Sequence, residues 1–321
     1  MNDAESPKSE VRGPKSRILY LFTRTPLHVG AGASVGAIDQ PIIRERPTGF
    51  PVIPATSLKG TFADAWNVPG TDGKLQRSPE GEWLFGSTDA NNAFAGALQF
   101  SEARLLAFPI RSARGSFAWI TCPLMLQRAI RDRVLARALL DNLPEPKDET
   151  AIFDAGADSK LTLANQVVLE EYTFQHVNWL GLAGLGKELA EVLSDDPIWE
   201  AVADRLVILS NGMMSFFAQN ACEVAQHVRI DDETGAAAGG ALFNQENVPS
   251  ETMFYAVLHA FRGRGDAFKD KTPDQAIRAF QGQDNDGNDQ ADLPGVRKGA
   301  VLQFGGDAST GLGYCTVKLS A

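Results

Sequence analysis

Hydrophobic and polar positions alternate in short, irregular blocks along this chain. "RILYLFTRTPLHV" (17–29) opens with a dense run of aliphatic and aromatic side chains and closes in a glycine loop, which predicts a buried strand. "PATSLKGTFADAWN" (54–67) has helical spacing, with Thr56 or Ser57 offered as its N-cap. "EWLFG" (82–86) and the Asn-rich stretch 87–93 predict loop, whereas 95–110 and 117–122 are strand-like. After Pro123, "LMLQRAIRDRVLARALL" spaces its apolar residues as a helix with arginines on the other face. A Pro/Asp-rich linker (141–150) leads to a predicted strand at 160–174, two short acidic helices within 183–205 and a buried strand "RLVILS". Residues 223–249 have the form strand, long Gly/Ala turn, strand. The remainder predicts strand 251–263, helix 272–280, an acidic loop 281–289, and two strands at 300–307 and 313–320. Such alternation with long insertions and no internal repeat favours an α+β fold on a mixed or antiparallel sheet. The Pro-, Ser- and charge-rich residues 1–16 are expected to be a disordered leader, with one domain over 17–321.

Composition narrows the class. The 321 residues are 44% hydrophobic, ample for a core, yet no run of 18 apolar residues exists and the N-terminus is polar. Neither a membrane span nor a secretory signal is expected, and the chain is placed in the cytoplasm. Cys122, Cys222 and Cys315 lie far apart and are expected to be buried apolar groups rather than a zinc site. The net charge of −10 argues mildly against a simple nucleic-acid coat, but it hides segregation. Residues 111–140 carry six arginines against one aspartate, whereas 141–204 carry 14 acidic and 3 basic side chains. A chain so divided can still present a basic face.

Several motifs fail when counted. Gly30, Gly32 and Gly36 miss the dinucleotide spacing by one residue and lead into Ala-Ile-Asp-Gln-Pro rather than a helix. "GLAGLGKE" (181–188) ends in Glu188 where a phosphate loop needs Ser or Thr, so a GTP-binding enzyme has little foothold. In "DNDGND" (284–289) the sixth position of a calcium loop is Asp289 and the twelfth is Gly295. No G-x-S-x-G elbow exists. His28, His176, His227 and His259 are scattered, but His28 lies across the glycine loop from Asp39. Asp39 itself, just ahead of Gln40-Pro41, is open to two readings: an Asx-type turn residue, or the working carboxylate of the loop.

Three stretches together bear on that choice. "TPLHVGAGASVGAIDQPIIRERPTGFPVIPATSLKGTF" resembles the start of RAMP-superfamily proteins, with their Thr-Pro-Leu-His-x-Gly loop, Ile-Asp-x-Pro-Ile-x-Arg block and Ser-Leu-Lys-Gly helix start. "LQFGGDASTGLGYCTV" (302–317) resembles the glycine-rich closing loop of the same superfamily. "VRIDDETGAAAGGALFNQENVPSETMFYAVL" is similar to the hairpin of the family of fourth RAMP subunits of type III-B (Cmr) CRISPR complexes.

The resemblance implies an RRM-like (ferredoxin-like) palm, inserted helical fingers at about 67–220 and a protruding β-hairpin thumb at about 223–249. It implies a backbone subunit that binds a guide CRISPR RNA, stacks with further copies of itself and with other type III-B subunits, and cuts complementary target RNA at regular intervals. Cutting would use Mg2+ or Mn2+, with Asp39 as metal ligand or as acceptor of the attacking 2′-OH proton, and with His28 and Glu246 as further catalytic positions. The resemblance implies a tyrosine where this chain has Asn247, which leaves the assisting role of that segment open. The chemistry of RNA-backbone tracking fits Gly30, Gly32, Gly36, Gly305, Gly306, Gly311 and Gly313 as points of close approach. Ser57 and Lys59 at the first helix start, and Arg44 and Arg46, would contact phosphates. A structural, non-cutting guide-binding subunit and a metal-independent guide-processing RAMP nuclease are the alternatives.

Overall fold

The computed structural model describes residues 13–32, 36–71, 73–284, 286–290, 294–297 and 299–320. Strand β1 (Lys15–Thr23) already includes the last two residues of the expected leader, and residues 1–12 lie outside the described set. Along β1 the apolar run divides by parity: Leu19 and Leu21 enter one core cluster, while Ile18, Tyr20 and Phe22 enter a second. A strand covered on both faces needs such a continuous run.

Helix α1 (Ala55–Asp64) follows, but Pro54 holds its N-cap position and no side chain caps it. The helix therefore starts two or three residues earlier than the sequence suggested, and Thr56 and Ser57 sit inside its first turn. Residues 82–85, expected as loop, belong to helix α2 (Pro79–Phe85). Ser78 accepts from the Gly81 amide, Glu80 and Glu82 face the dipole, and Trp83, Leu84 and Phe85 are buried. Strand β2 (Ala103–Ser112) pairs with β3 (Ser116–Thr121), which leads into α3 (Pro123–Arg131). That helix stops short of the predicted end because Arg133 adopts a left-handed φ of 62°. The expected single strand at 160–174 is a hairpin, β4 (Gln166–Leu169) and β5 (Tyr172–His176), turning at Glu170 with φ 50°. Then come α4 (Leu182–Val192), the buried β6 (Leu206–Ile208) and α5 (Asn211–Asn220), the last capped by Ser210.

The hairpin strands β7 (Glu223–Ile230) and β8 (Ala237–Asn247) make a two-stranded sheet of their own, with Glu223 opposite Asn247 and Val228 opposite Leu242. Strand β9 (Met253–Ala260), helix α6 (Pro273–Gln281), β10 (Ala300–Gln303) and β11 (Tyr314–Leu319) complete the order. The main sheet runs β10-β11-β1-β9-β2-β4-β5, antiparallel through its centre. Since β2 lies inside that centre, residues 67–220 are not one insertion as expected: part of the stretch is core sheet. Helices α1 and α6 meet on one face, where the rings of Phe62 and Phe280 lie 5.0 Å apart. The opposite face is covered by α4 and by Trp119 and Trp199, edge to face at 5.3 Å. Cys122 and Cys315 are buried and Cys222 half-buried, with burial raising the first to about 11 and the second to about 12, so these thiols are inert packing groups. No helix among the described residues is long and apolar enough to cross a membrane.

Candidate active site

The end of β1 delivers a loop to the foot of the hairpin. Leu27 exchanges backbone hydrogen bonds with Val248 (2.8 and 2.9 Å), just beyond the end of β8. The loop runs outward and returns beside itself, with Gly30 opposite Ile42 and the Ala31 amide donating to the Pro41 carbonyl at 2.9 Å. Its return arm then lies parallel to β8: the Gln40 amide donates to Asn244 O (3.1 Å) and the Glu246 amide donates to Gln40 O (2.9 Å). Loop and hairpin share one hydrogen-bonded foot.

His28 is 8% exposed and sits behind this foot. Its Nδ1 lies 2.7 Å from the Glu246 carbonyl oxygen, which only accepts, so Nδ1 carries the proton and Nε2 is the atom left for chemistry. Gly30 keeps that atom accessible, since a Cβ there would lie 2.9 Å from Nε2. The glycine-rich closing loop backs the same residue: the Gly306 amide donates to His28 O at 2.9 Å. Gly305, at φ 77°, has no room for a side chain, because a Cβ would fall 2.1 Å from His28 O.

Asp39 is exposed at the mouth of the loop. Its carboxylate does not close a local Asx turn. Instead Oδ2 accepts from the Asn244 amide at 2.9 Å, and Asn244 Oδ1 accepts from the Asp39 amide at 2.7 Å. Asn244 also donates through Nδ2 to Ala37 O (3.0 Å), so one hairpin asparagine clamps the loop from three directions. Asp39 is thus held by its backbone and one oxygen on an open surface.

Glu246 and Arg44 pair with each other. The Glu246 carboxylate, 5% exposed, accepts from the Ile42 amide (3.0 Å) and meets Arg44 at 2.5 Å. Arg44 in turn donates to the carbonyls of Gly49 (2.7 Å) and Ala218 (2.6 Å). The Glu246 side chain is buried and that of Arg44 half-buried, and the two charges compensate each other. Lys59 and Arg46 are exposed and Ser57 is half-buried, near the uncapped start of α1. Gly32, Gly36, Gly306 and Gly311 lie on the surface, whereas Gly313 is buried.

Sequence reasoning passed over Asn244, Gln245 and Asp307. Gln245 is 1% exposed and donates through Nε2 to Asp307 Oδ2 at 2.6 Å, while its Oε1 and the Oδ1 of Asn247 are buried without a partner. The signal available was the polar run "NQEN" at the end of an otherwise apolar-facing strand. Among the described residues no three His, Cys, Asp or Glu side chains gather into a metal cage. A magnesium-type ion does not require one, since it is commonly held by one or two carboxylates together with substrate phosphates and water, and Asp39 offers one such carboxylate.

Comparison with known proteins supplies the context. Residues 21–316 match the family model described as the RAMP superfamily. A protein of Pyrococcus furiosus named CRISPR system Cmr endoribonuclease Cmr4 is 31% identical over 309 residues, spanning 95% of this chain and 96% of its own. An Enterococcus italicus protein named CRISPR system Cms endoribonuclease Csm3 is 34% identical over 87 residues, 25% of this chain and 41% of its own. Among solved structures, oligomeric Cmr4 from Pyrococcus furiosus superposes with a TM-score of 0.66 at 25% identity, covering 95% of this chain and 97% of that one. A chain of the type III-B Cmr-beta complex bound to cognate target RNA shares the fold, with a TM-score of 0.65 at 20% identity and coverage of 95% and 97%.

Proposed function

This chain belongs to the RAMP superfamily, and from that premise we propose that it is a guide-RNA-binding backbone subunit of a type III-B CRISPR effector that cuts complementary target RNA at regular intervals. The observation that carries the reading is the shared foot of loop and hairpin, which brings the exposed Asp39 carboxylate and the Nε2 of His28 to the base of a separate two-stranded β-ribbon. The sheet order β11-β1-β9-β2, with α1 and α6 on one face, supports reading the centre as a ferredoxin-like palm and β7–β8 as its thumb. Copies stacked along one guide would each place a thumb across the guide–target duplex. Val224, Val228 and Leu242 give the thumb an exposed apolar face with which to displace a nucleotide.

Displacing a base kinks the strand and brings a ribose 2′-oxygen in line with its own phosphate. In the cut the 2′-oxygen bonds to phosphorus, the bond to the 5′-oxygen breaks, and the products are a 2′,3′-cyclic phosphate and a 5′-hydroxyl. The 2′-OH must surrender its proton and the departing 5′-oxygen must gain one. Asp39 acts at the reacting phosphate, as ligand of a divalent ion or as acceptor of the 2′-OH proton, and His28 Nε2 is the second proton-handling atom. Asp39 would hold a divalent ion such as Mg2+ or Mn2+, which would supply charge stabilisation at the reacting phosphate. The glycine loops, Lys59, Arg46 and the uncapped amides of α1 bind the RNA backbone without reading its sequence. Glu246 and Arg44 support the site from beneath.

Cleavage of labelled, guide-complementary RNA by assembled complexes, with and without Mg2+, tests the reading. The Asp39→Ala complex should bind guide and target normally and fail to cut. Regular-interval cutting by that variant would remove Asp39 from the reaction, and an inert wild-type complex would favour a purely structural subunit.

A further inference from the structure

We propose that Gln245 and Asp307 form a latch that holds the His28 imidazole and the foot of the hairpin as one unit, making both positioning residues for RNA cutting; the proposal rests on the function just given. Three segments distant in sequence close a ring here. The Gly306 amide donates to His28 O (2.9 Å), and His28 Nδ1–H donates to Glu246 O (2.7 Å). One peptide back along β8, Gln245 Nε2 donates to Asp307 Oδ2 (2.6 Å), and Asp307 adjoins Gly306. Three hydrogen bonds of 2.6 to 2.9 Å thus tie the imidazole to both the hairpin and the closing loop.

The latch is built rather than incidental. Asp307 adopts a left-handed φ of 61°, uncommon for a residue with a side chain, and its carbonyl accepts from the Thr310 hydroxyl at 2.9 Å. Gln303 Nε2 lies within 3.2 Å of four carbonyls, those of Phe304, Gly305, Gly306 and Leu312, and so folds the closing loop into a fixed shape. The contact between Gln245 and the Asp307 carboxylate is of the charge-assisted kind, shorter and stronger than a neutral one. It also fixes the amide orientation, because a carboxylate only accepts, and it leaves the buried Oε1 without a donor. Folded proteins seldom leave a buried acceptor unsatisfied, and here the arrangement serves placement rather than stability. Placement matters because a displacement of about 1 Å at a reacting group can cost of order 100-fold in rate.

The test compares guide-loaded complexes carrying wild-type chain, Asp307→Ala, Asp307→Asn, Gln245→Glu, and Gln245→Glu with Asp307→Asn. For each, the single-turnover cutting rate at saturating complex, the affinity for target RNA and the melting temperature are measured. Asp307→Ala should slow cutting of order 10- to 100-fold with target affinity unchanged. Asp307→Asn should stay near wild type, because it retains an acceptor for the Gln245 amide. Gln245→Glu should slow cutting by opposing two carboxylates. The double variant should recover, since it exchanges donor and acceptor across the same contact. Wild-type rate in Asp307→Ala, a rate loss matched by lost target affinity, or a double variant no faster than Gln245→Glu would each overturn the latch. A wild-type complex that does not cut overturns the function itself and the latch with it, whereas failure of the swap in a cutting complex overturns the latch alone.

Discussion

Glu251 shows how a single side chain can carry a pH dependence away from any chemistry. It sits in the turn between β8 and β9 with a left-handed φ of 66°, and its Oε2 is buried without a partner. Burial, reinforced by the nearby Asp196 and opposed by Arg24, raises its pKa from 4.5 to about 7. The folded chain therefore holds this proton more tightly than the unfolded chain does. The resulting stabilisation is complete below about pH 4.5 and is lost as pH climbs through about 7. Glu251→Gln, which keeps the shape without the charge, should raise the melting temperature at pH 8 and leave it nearly unchanged at pH 4.5. Equal shifts at both values would mean that the carboxylate is stabilised by contacts other than those seen here. At the same scale, the loop that carries His28 and Asp39 was legible as a local motif, whereas the contacts of Asn244 and Asp307 were not. Their partners lie 205 and 62 residues away, and no local pattern records such pairings.

At the scale of elements, the Arg44–Glu246 pair ties together the glycine loop, strand β8 and, through the Ala218 carbonyl, helix α5. Removing one member leaves the other charge enclosed, a loss of about 3–5 kcal/mol. Glu246→Ala should therefore lower stability by that order in urea unfolding, while Glu246→Gln, still able to accept from the Ile42 amide, should lose less and cut at close to the wild-type rate. A large rate loss in Glu246→Gln with intact stability would assign Glu246 to the reaction. Elements with strong periodicity or plain turn chemistry were readable in advance, including β1, α4, the β7–β8 hairpin and α6 with its capping box. Helix α2 was not, because it is short and carries Gly81 in its interior, and tertiary burial of three large side chains outweighs that weak propensity. The hairpin at 166–176 was merged into one strand because its turn uses Glu170 rather than a glycine or proline.

For the whole molecule, charge decides the terms of RNA binding. A net charge of −10 opposes an anionic partner at long range, so attraction must come from locally exposed cations such as Lys59 and Arg46. Each phosphate contact to a single strand should contribute about 0.7 to the slope of log affinity against log salt. Lys59→Ala and Arg46→Ala should each flatten the slope for guide RNA by about that amount, measured by filter binding across a salt series, whereas Arg44→Ala should not. The division of the core into two clusters on opposite faces of the sheet was foreshadowed by the unbroken apolar run of β1, but which strands flank it was not. Neighbours in a sheet of this order are set by crossovers, which leave no trace in local periodicity.

The hydrogen bonds between Asn244 and Asp39 also have a mechanical meaning. Seen as a lever, the hairpin pivots at its foot, with a long arm from Gln226 to the tip and a short arm one hydrogen bond long, 2.9 Å, to the Asp39 carboxylate. At about 3.4 Å per residue the five residues from Gln226 to Ile230 alone give the long arm roughly 17 Å. A load that swings the tip by several ångströms thus returns less than about one ångström at the carboxylate. The ribbon can yield at its far end while the carboxylate at its pivot hardly moves.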